Sequence, residues 1–316
     1  MNNKRVNWVF LSLILIDFAW MACMVLSLIA GSQIFVNMPI AANLLISELL
    51  ILVPALIFAL AFKKNTRTGT LNEMLGFRKI KISSFFMVIL FTFLTMPMAT
   101  ALNAISMLFV DNTVNAISGD VLQLPFFLML FMIGIFGPFC EEFVFRGIIF
   151  RGYKNSGPVW WAVFWSAVLF ALMHLNFNQA LYAFALGMMF GLLVEATGSL
   201  WSSVIAHMIF NSQQVCMMYL AEYIVPGTYD SADVALTQDA LLAAIGPYLM
   251  IAVIATPIAF CVLVWLAKNE NRDGFLRIVW EHRKDKGGSF VSVPLIIAII
   301  ICLAYMSLEL IAPLIS

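Results

Sequence analysis

The sequence predicts an all-α membrane protein, a single polytopic domain of bundled transmembrane helices over residues 1–316. Three observations support this fold class. Of the residues, 63% are hydrophobic and 11% are charged, whereas soluble domains carry about 25% charged residues. Apolar stretches of about 20 residues recur along the chain, and each can cross a hydrocarbon core about 30 Å thick as a helix. Basic residues collect in alternate polar segments between these stretches.

Polar and turn-rich points divide the chain into nine predicted spans, with eight as the alternative. The spans lie near residues 8–30, 39–62, 83–110, 122–150, 158–177, 179–195, 201–222, 241–267 and 290–313. The first contains Asp17 and is longer than the apolar core of a signal peptide, so we interpret it as a retained helix. Almost no loop separates the fifth span from the sixth, and a tight helical hairpin and a re-entrant segment fit this pattern equally well.

The basic side chains predict how the bundle is oriented. Lysine and arginine are enriched in cytoplasmic loops, and the loops near residues 31–38, 111–121 and 223–240 contain neither. The N-terminus is therefore predicted in the cytoplasm and, with nine spans, the C-terminus outside. The basic groups are Lys4 and Arg5; Lys63, Lys64, Arg67, Arg78, Lys79 and Lys81; Arg146, Arg151 and Lys154; and Lys268, Arg272, Arg277, Arg283, Lys284 and Lys286.

Composition also limits the partners. The formal net charge is zero, so no overall electrostatic field indicates binding of nucleic acid, and no Gly-rich phosphate-binding loop of the Walker or dinucleotide type occurs. The expected partners are the lipid bilayer and a peptide or membrane-protein substrate, and the oligomeric state stays open. The expected location is the cell membrane, with a bacterial plasma membrane favoured. The five cysteines lie in apolar segments without CxxC spacing, as buried small side chains do.

The fourth span carries ionisable side chains, which are costly in a bilayer and are by default candidates for a functional site. Glu142 and Arg146 are four residues apart, so they share a helix face and can form an ion pair. We interpret them as a supporting pair, and a purely structural role in anchoring the end of the span fits as well. Glu141 points about 100° away and lacks such a partner. Pro138 predicts a kink just before it.

Two histidines fall in other spans. His174 follows Phe170 on one face of the fifth span, and His207 shares a face of the seventh with Asn211. His282 lies in a basic segment and is predicted to be solvated. A lone histidine in a helix is more often a packed residue than a catalyst. Two histidines, a glutamate pair and an asparagine on three spans nevertheless predict a catalytic or ion-handling centre.

These residues resemble the motif set of the CPBP family, the CAAX-processing and bacteriocin-processing intramembrane proteases formerly called Abi. The motifs are Glu141-Glu142-x-x-x-Arg146, Phe170-x-x-x-His174 and His207-x-x-x-Asn211. The resemblance covers about residues 122–222, which would form the catalytic helix core. Within this segment Gly187 and Gly191 form a GxxxG pair, which predicts close packing of the sixth span on a neighbour.

The resemblance implies hydrolysis of a peptide bond within or at the membrane, in a prenylated or bacteriocin-type substrate. It implies that Glu141 and His174 activate a water molecule, while His207 and Asn211 stabilise the oxyanion. The chemistry is reasonable, because a carboxylate can act as a general base and a neutral amide can donate to an oxyanion. The family favours a metal-free glutamate mechanism, so no cofactor is expected. A zinc ion held by Glu141, His174 and His207 is the alternative.

Two other functional classes stay open at this point. A proton-coupled transporter could use the same glutamates and histidines, although the inverted repeats of many transporters are absent. An immunity or scaffolding membrane protein could retain the motifs without turnover. Asp17, Glu48 and Glu309 are further ionisable residues within spans, and the sequence assigns no role to them.

Overall fold

A computed structural model describes residues 3–32, 35, 38–63, 70–228 and 238–315. Every regular element in these ranges is helical, in agreement with the predicted all-α class. The first helices are α1 (Asn3–Ile29), α2 (Ile40–Lys63), α3 (Leu71–Leu75), α4 (Ile82–Ser106) and α5 (Thr113–Leu122). They are followed by α6 (Phe126–Lys154), α7 (Val159–Met173), α8 (Phe177–Thr197) and α9 (Leu200–Ile224). The last are α10 (Gln238–Asn269), α11 (Phe275–Glu281) and α12 (Val293–Ile315).

All nine predicted spans are helices, but in the described ranges only seven helices are long and apolar enough to cross a membrane. Helix α7 has 15 residues, which gives about 22 Å of rise. Helix α9 has 25 residues, but its serine, glutamine, histidine and asparagine side chains lower its hydropathy. The chain is therefore a multi-pass membrane protein, while the number of nine spans is not confirmed. The seven are α1, α2, α4, α6, α8, residues Leu241–Asn269 of α10 and residues Val293–Ile311 of α12.

Helix α6 contacts α2, α7 and α9. Helix α4 packs along α10, and α1 packs along α12. Apolar side chains from these helices form one large buried cluster. Its bulkiest members include Phe10, Phe91, Phe145 and Phe190.

Ion pairs tie several helix ends together at one end of the bundle. Arg78, just before α4, pairs with Glu270, just after α10, at 3.2 Å. Glu195 in the last turn of α8 pairs with Lys154 at the end of α6 and, at 2.7 Å, with Arg272. Residues of three of the predicted basic groups are thus neighbours in space.

The fourth basic group lies at the same end. Asn7 in α1 donates to the carbonyl of Phe290, just before α12, at 2.8 Å. Tyr153 near the end of α6 donates to the Asn7 side chain. The basic residues at the start of α1 therefore lie at the end of the bundle that carries the other groups. That this end faces the cytoplasm stays a prediction.

Helix α6 departs from α-helical winding in two stretches, Leu130–Phe136 and Phe143–Phe150, which are wound as π-helix. Such windings are rare and frequently lie at functional sites. The α-helical turn between them, Gly137–Glu142, carries Pro138, Glu141 and Glu142. The winding changes on either side of the two glutamates, while the kink predicted at Pro138 stays a prediction.

Helices α7 and α8 form a tight hairpin, one of the two alternatives that the sequence allows. Leu175 in the turn has a φ of +54°, an unusual conformation for a residue with a branched side chain. Asn176 caps α8, because its Oδ1 accepts a hydrogen bond from the backbone N–H of Gln179 at 2.8 Å. Glu309 of α12 accepts from the Phe177 amide at 2.8 Å, which suits a carboxylate at a helix N-terminus. The turn is therefore held from both sides.

The GxxxG pair packs α8 against α7, as predicted. A Cβ at Gly187 would lie 2.9 Å from the Ala167 Cβ, and one at Gly191 would lie 3.0 Å from Val163. The absence of a side chain at these two positions lets the helices approach this closely.

Candidate active site

Glu142 and Arg146 form the buried base of the candidate site. Their side chains are both 0% exposed, and Glu142 Oε1 lies 2.7 Å from Arg146 Nη1. The four-residue spacing in α6 brings the pair together, as the sequence predicts. A buried charge is costly unless it is paired and hydrogen-bonded, so each of these residues requires the other.

Arg146 also contacts the two neighbouring helices of the hairpin. Its Cζ lies 4.4 Å from the ring centroid of Phe170 in α7 and 5.5 Å from that of Phe190 in α8. Its Nη2 donates to the Gly187 carbonyl at 3.3 Å. The prediction that Arg146 lies with Arg151 at the polar end of the span is therefore wrong. Aromatic faces, a carboxylate and a carbonyl stabilise the guanidinium inside the bundle instead.

His207 of α9 lies between the two adjacent glutamates. Its Nδ1 is 3.0 Å from Glu142 Oε1, and its Nε2 is 3.5 Å from Glu141 Oε2. The Glu141 side chain is 23% exposed, whereas that of Glu142 is fully buried. Since Glu142 also holds Arg146, it fixes the orientation of the imidazole. Glu141 is left as the accessible carboxylate beside the other ring nitrogen.

His174 directly follows the last residue of α7, and the rings of His174 and His207 both contact the ring of Phe170. The Phe170 ring centroid is 4.9 Å from that of His174 and 5.7 Å from that of His207. His174 Nδ1 lies 2.9 Å from the Phe170 carbonyl, which can only accept, so Nδ1 carries the proton. Nε2 of a neutral His174 is then an acceptor and can bind the hydrogen of a water molecule. Within the described residues, His174 and Glu141 form no direct ion pair.

Asn211 lies one turn after His207 and contacts the π-wound part of α6. Its Nδ2 donates to the Ile133 carbonyl at 3.2 Å, and the Ser212 hydroxyl donates to the Gly134 carbonyl at 3.2 Å. These carbonyls lie five and four residues before Pro138, where a helical backbone N–H would donate to them. Pro138 has no N–H, so it cannot do so. Side chains of α9 therefore replace the missing backbone donor. The Asn211 amide has a second N–H for another acceptor.

Two further polar side chains near Glu141 were not assigned to the site by sequence reasoning. Glu48 of α2 and Tyr182 of α8 both interact electrostatically with Glu141. The position of Glu48 within a span was a signal, since an ionisable residue there requires a partner. The identity of the helix that lies opposite Glu48 depends on packing that the sequence pattern does not encode. The sequence gives no reason to assign Tyr182 to a functional site, because a tyrosine in an apolar helix is common.

The arrangement does not fit the zinc site predicted as the alternative. In the described part of the chain, no three His, Cys, Asp or Glu side chains converge as a metal site requires. Glu141 Oε2 lies 3.5 Å from His207 Nε2, whereas His174 makes no ion pair with Glu141 among the described residues. We therefore derive no step through a metal ion.

Comparisons with known proteins find similarity over part of the chain. The family model described as type II CAAX prenyl endopeptidase Rce1-like matches residues 123–213. “Putative membrane peptidase YdiL” of Bacillus subtilis (strain 168) is 33% identical over 99 residues. That match spans 31% of this chain and 40% of the relative. No solved structure matches at a significant level.

The fold defines a multi-pass membrane protein, and residues 123–213 of its helices are similar to the type II CAAX prenyl endopeptidase Rce1-like family. The resemblance to the CPBP family that the three motifs carry is confirmed for this segment. The matched segment, residues 123–213, contains Glu141, His174, His207 and Asn211. The match covers less than half of the curated relative's length, so the helices outside it are described by their own contacts alone.

Proposed function

We propose that this chain is an intramembrane endopeptidase of the cell membrane, in which Glu141 and His174 activate a water molecule. The observation that best supports this proposal is the difference in exposure between the adjacent residues Glu141 and Glu142. Glu142 is fully buried with Arg146 and His207, while Glu141 is partly exposed beside His207. A base that must reach water and substrate has to be the accessible carboxylate.

The proposed reaction uses four side chains in turn. Glu141 takes a proton from water, whose oxygen attacks the carbonyl carbon of the scissile bond, and His174 Nε2 orients the same water. His207 and the second N–H of Asn211 donate to the oxyanion of the tetrahedral intermediate. The C–N bond then breaks and the leaving nitrogen takes the proton from Glu141. A protonated His207 suits this role, because it donates from Nδ1 to Glu142 and from Nε2 to the oxyanion.

For the substrate we propose a membrane-associated chain with a C-terminal prenylated CAAX sequence, and a bacteriocin-type peptide as the alternative. The prenyl class rests on the description of the matching family model. A lipid-anchored substrate also suits a site on helices that cross the bilayer, because anchoring keeps the peptide bond at the membrane.

Cleavage of defined peptides tests this function. The purified full chain, reconstituted in lipid nanodiscs, is incubated with a farnesylated CAAX peptide, the same peptide without its lipid, and a bacteriocin-leader peptide. Mass spectrometry should find the last three residues released from the farnesylated peptide. A Glu141→Gln preparation should release about 10²–10⁴-fold less. Cleavage of none of the three would contradict the proposed substrates.

The same assay tests the metal-free mechanism. We expect a chelator to leave the rate unchanged. Loss of activity on chelation that zinc restores would contradict the mechanism and favour the metal-dependent alternative.

A further inference from the structure

Arg151 lies in the last turn of α6, at the end of the bundle that carries the ion pairs between helix ends. Its guanidinium occupies the space that a side chain at position 76 would fill. A Cβ at Gly76 would overlap the Nη2 and Cζ atoms of Arg151. Gly76 ends α3 with a φ of +79°, in the left-handed region that favours glycine. This turn therefore leaves room for the guanidinium beside the end of a transmembrane helix.

The guanidinium of Arg151 is short of hydrogen-bond acceptors. Its Nε is shielded from solvent and has no partner among the described residues, although the residue as a whole is partly exposed. Glu195 of α8 attracts Arg151, but its two carboxylate oxygens already accept hydrogen bonds from Lys154 and Arg272. An arginine has five N–H donors, and a buried donor without an acceptor is costly. An acceptor from another molecule would therefore be bound here.

Positive charge exceeds negative charge around this point. Glu195 forms ion pairs with Lys154 and, at 2.7 Å, with Arg272. Arg151 is a third cation beside this single carboxylate, and Arg272 repels it. Two positive charges of this group are therefore left without a carboxylate of their own. Basic clusters of this kind at the end of a transmembrane helix attract anionic lipid headgroups.

Aromatic side chains beside the same turn suit the level of the lipid headgroups. Phe77 follows Gly76, and its ring centroid lies 5.1 Å from that of Trp201 in the first turn of α9. The Leu200 amide donates to the Gly76 carbonyl at 2.8 Å, so the start of α9 is joined to the end of α3. Trp201 is 38% exposed, and tryptophan is enriched where headgroups meet the hydrocarbon core. The turn thus presents an apolar surface as well as a cation.

We propose that Arg151 binds the phosphate of an anionic phospholipid, and that Lys154 and Arg272 supply the positive charge that selects this class over zwitterionic lipids. Two N–H groups of a guanidinium can donate in parallel to two phosphate oxygens. The ligand is a lipid and not free phosphate, because the site lies at the end of a transmembrane helix, where headgroups are concentrated. The site is separate from Glu141, which lies about 15 Å earlier along α6, so this inference does not rest on the proposed function.

Lipid binding to the purified full chain tests the proposal. The delipidated protein in detergent is titrated with phosphatidylglycerol, or with phosphatidylcholine of the same acyl chains, and native mass spectrometry counts the bound lipids. We expect the first phosphatidylglycerol to bind more tightly than phosphatidylcholine, and Arg151→Gln to weaken its binding about tenfold. Arg277→Gln is the matched control, because it removes the same charge from a side chain that is 80% exposed. It should bind within about threefold of the wild type.

Thermal unfolding in nanodiscs distinguishes a lipid site from a structural role of Arg151. A ligand that binds only the folded chain raises its unfolding temperature, so phosphatidylglycerol should stabilise the wild type relative to phosphatidylcholine. Arg151→Gln should abolish that difference and should unfold near the wild-type temperature in phosphatidylcholine, because Arg151 Nε has no described hydrogen-bond partner to lose. A purely structural role would lower the unfolding temperature equally in both lipids and would contradict the proposal.

Two further results would overturn the proposal: equal affinity for the two lipids, or equal loss of phosphatidylglycerol binding in Arg151→Gln and Arg277→Gln. Stabilisation by inorganic phosphate as large as that by phosphatidylglycerol would overturn the lipid as the ligand. If Arg151→Gln does not fold, Arg151→Lys decides, since it keeps the charge without the planar fork. It should weaken phosphatidylglycerol binding about threefold, and unchanged affinity would count against the site. None of these readouts depends on cleavage of a peptide.

Discussion

At the scale of single residues, neighbouring side chains of the same type take different roles because their surroundings differ. Glu141 and Glu142 are adjacent in sequence, yet one is partly exposed and the other is enclosed with Arg146 and His207. The spacing of Glu142 and Arg146 is sufficient to predict their ion pair. The position of His207 between both glutamates depends on the packing of α9 against α6, which no local spacing encodes.

Asn211 and Ser212 make a matched pair for testing the oxyanion role. Both donate a hydrogen bond to a carbonyl of α6 to which Pro138 cannot donate. Replacement of either by alanine should therefore cost about 1 kcal/mol of stability. Only Asn211→Ala should also lower the cleavage rate per folded molecule, by about 10²–10³-fold, through loss of an oxyanion donor. Equal rates for the two variants would contradict a catalytic role for Asn211.

At the scale of elements, the site depends on irregular helices. The sequence predicts the helices themselves and a kink at Pro138. It does not predict the two π-wound stretches around the glutamates. Side chains of α9 donate to carbonyls of the first stretch, and Ser166 of α7 donates to the Phe145 carbonyl in the second, and no local spacing encodes these contacts. The positive φ at Leu175 is likewise set by the closure of the α7–α8 hairpin and by the cap from Glu309.

The close contact of α7 and α8 predicts the effect of a single methyl group. In Gly187→Ala the new Cβ would lie 2.9 Å from Ala167 Cβ, so the hairpin must separate beneath Arg146 and lose about 1–3 kcal/mol of stability. Gly246→Ala in α10 is the control, since no described atom lies within 4 Å of the new Cβ. Equal midpoints in thermal unfolding would show that the hairpin tolerates a wider separation.

At the scale of the whole molecule, polar contacts at one end join helices that are distant in sequence. The alternation of basic and non-basic loops is readable from the sequence, and the structure brings described members of each basic group, other than Arg146, to one end. The acidic partners Glu195 and Glu270 are not predictable, because each bridges segments more than about 40 residues apart and leaves no periodic signal.

Glu270 makes the stability of this end dependent on pH. Burial acts to raise the pKa of the Glu270 carboxyl, but hydrogen bonds from the Ser84 hydroxyl, the Lys81 amide and Arg78 outweigh burial and lower the pKa below its ordinary value. A carboxylate with a lowered pKa stabilises the fold above its unfolded pKa, about 4.3, and loses that contribution as pH falls through the folded value.

We therefore expect Glu270→Gln to unfold at a lower temperature than the wild type at pH 7. The difference should shrink as pH falls below about 4.3. A difference that stays constant or grows on acidification, in thermal unfolding of the detergent-solubilised chain, would contradict this account of the helix-end contacts.

The most direct test of the central claim compares Glu141→Gln with Glu142→Gln, each for cleavage rate per folded molecule and for stability. Glu141→Gln should keep the wild-type unfolding temperature and lose about 10²–10⁴-fold in rate. Glu142→Gln should lose about 3–5 kcal/mol of stability, because it leaves the buried Arg146 charge unpaired. A stable Glu141→Gln protein that cleaves at the wild-type rate would contradict the assignment of Glu141 as the base.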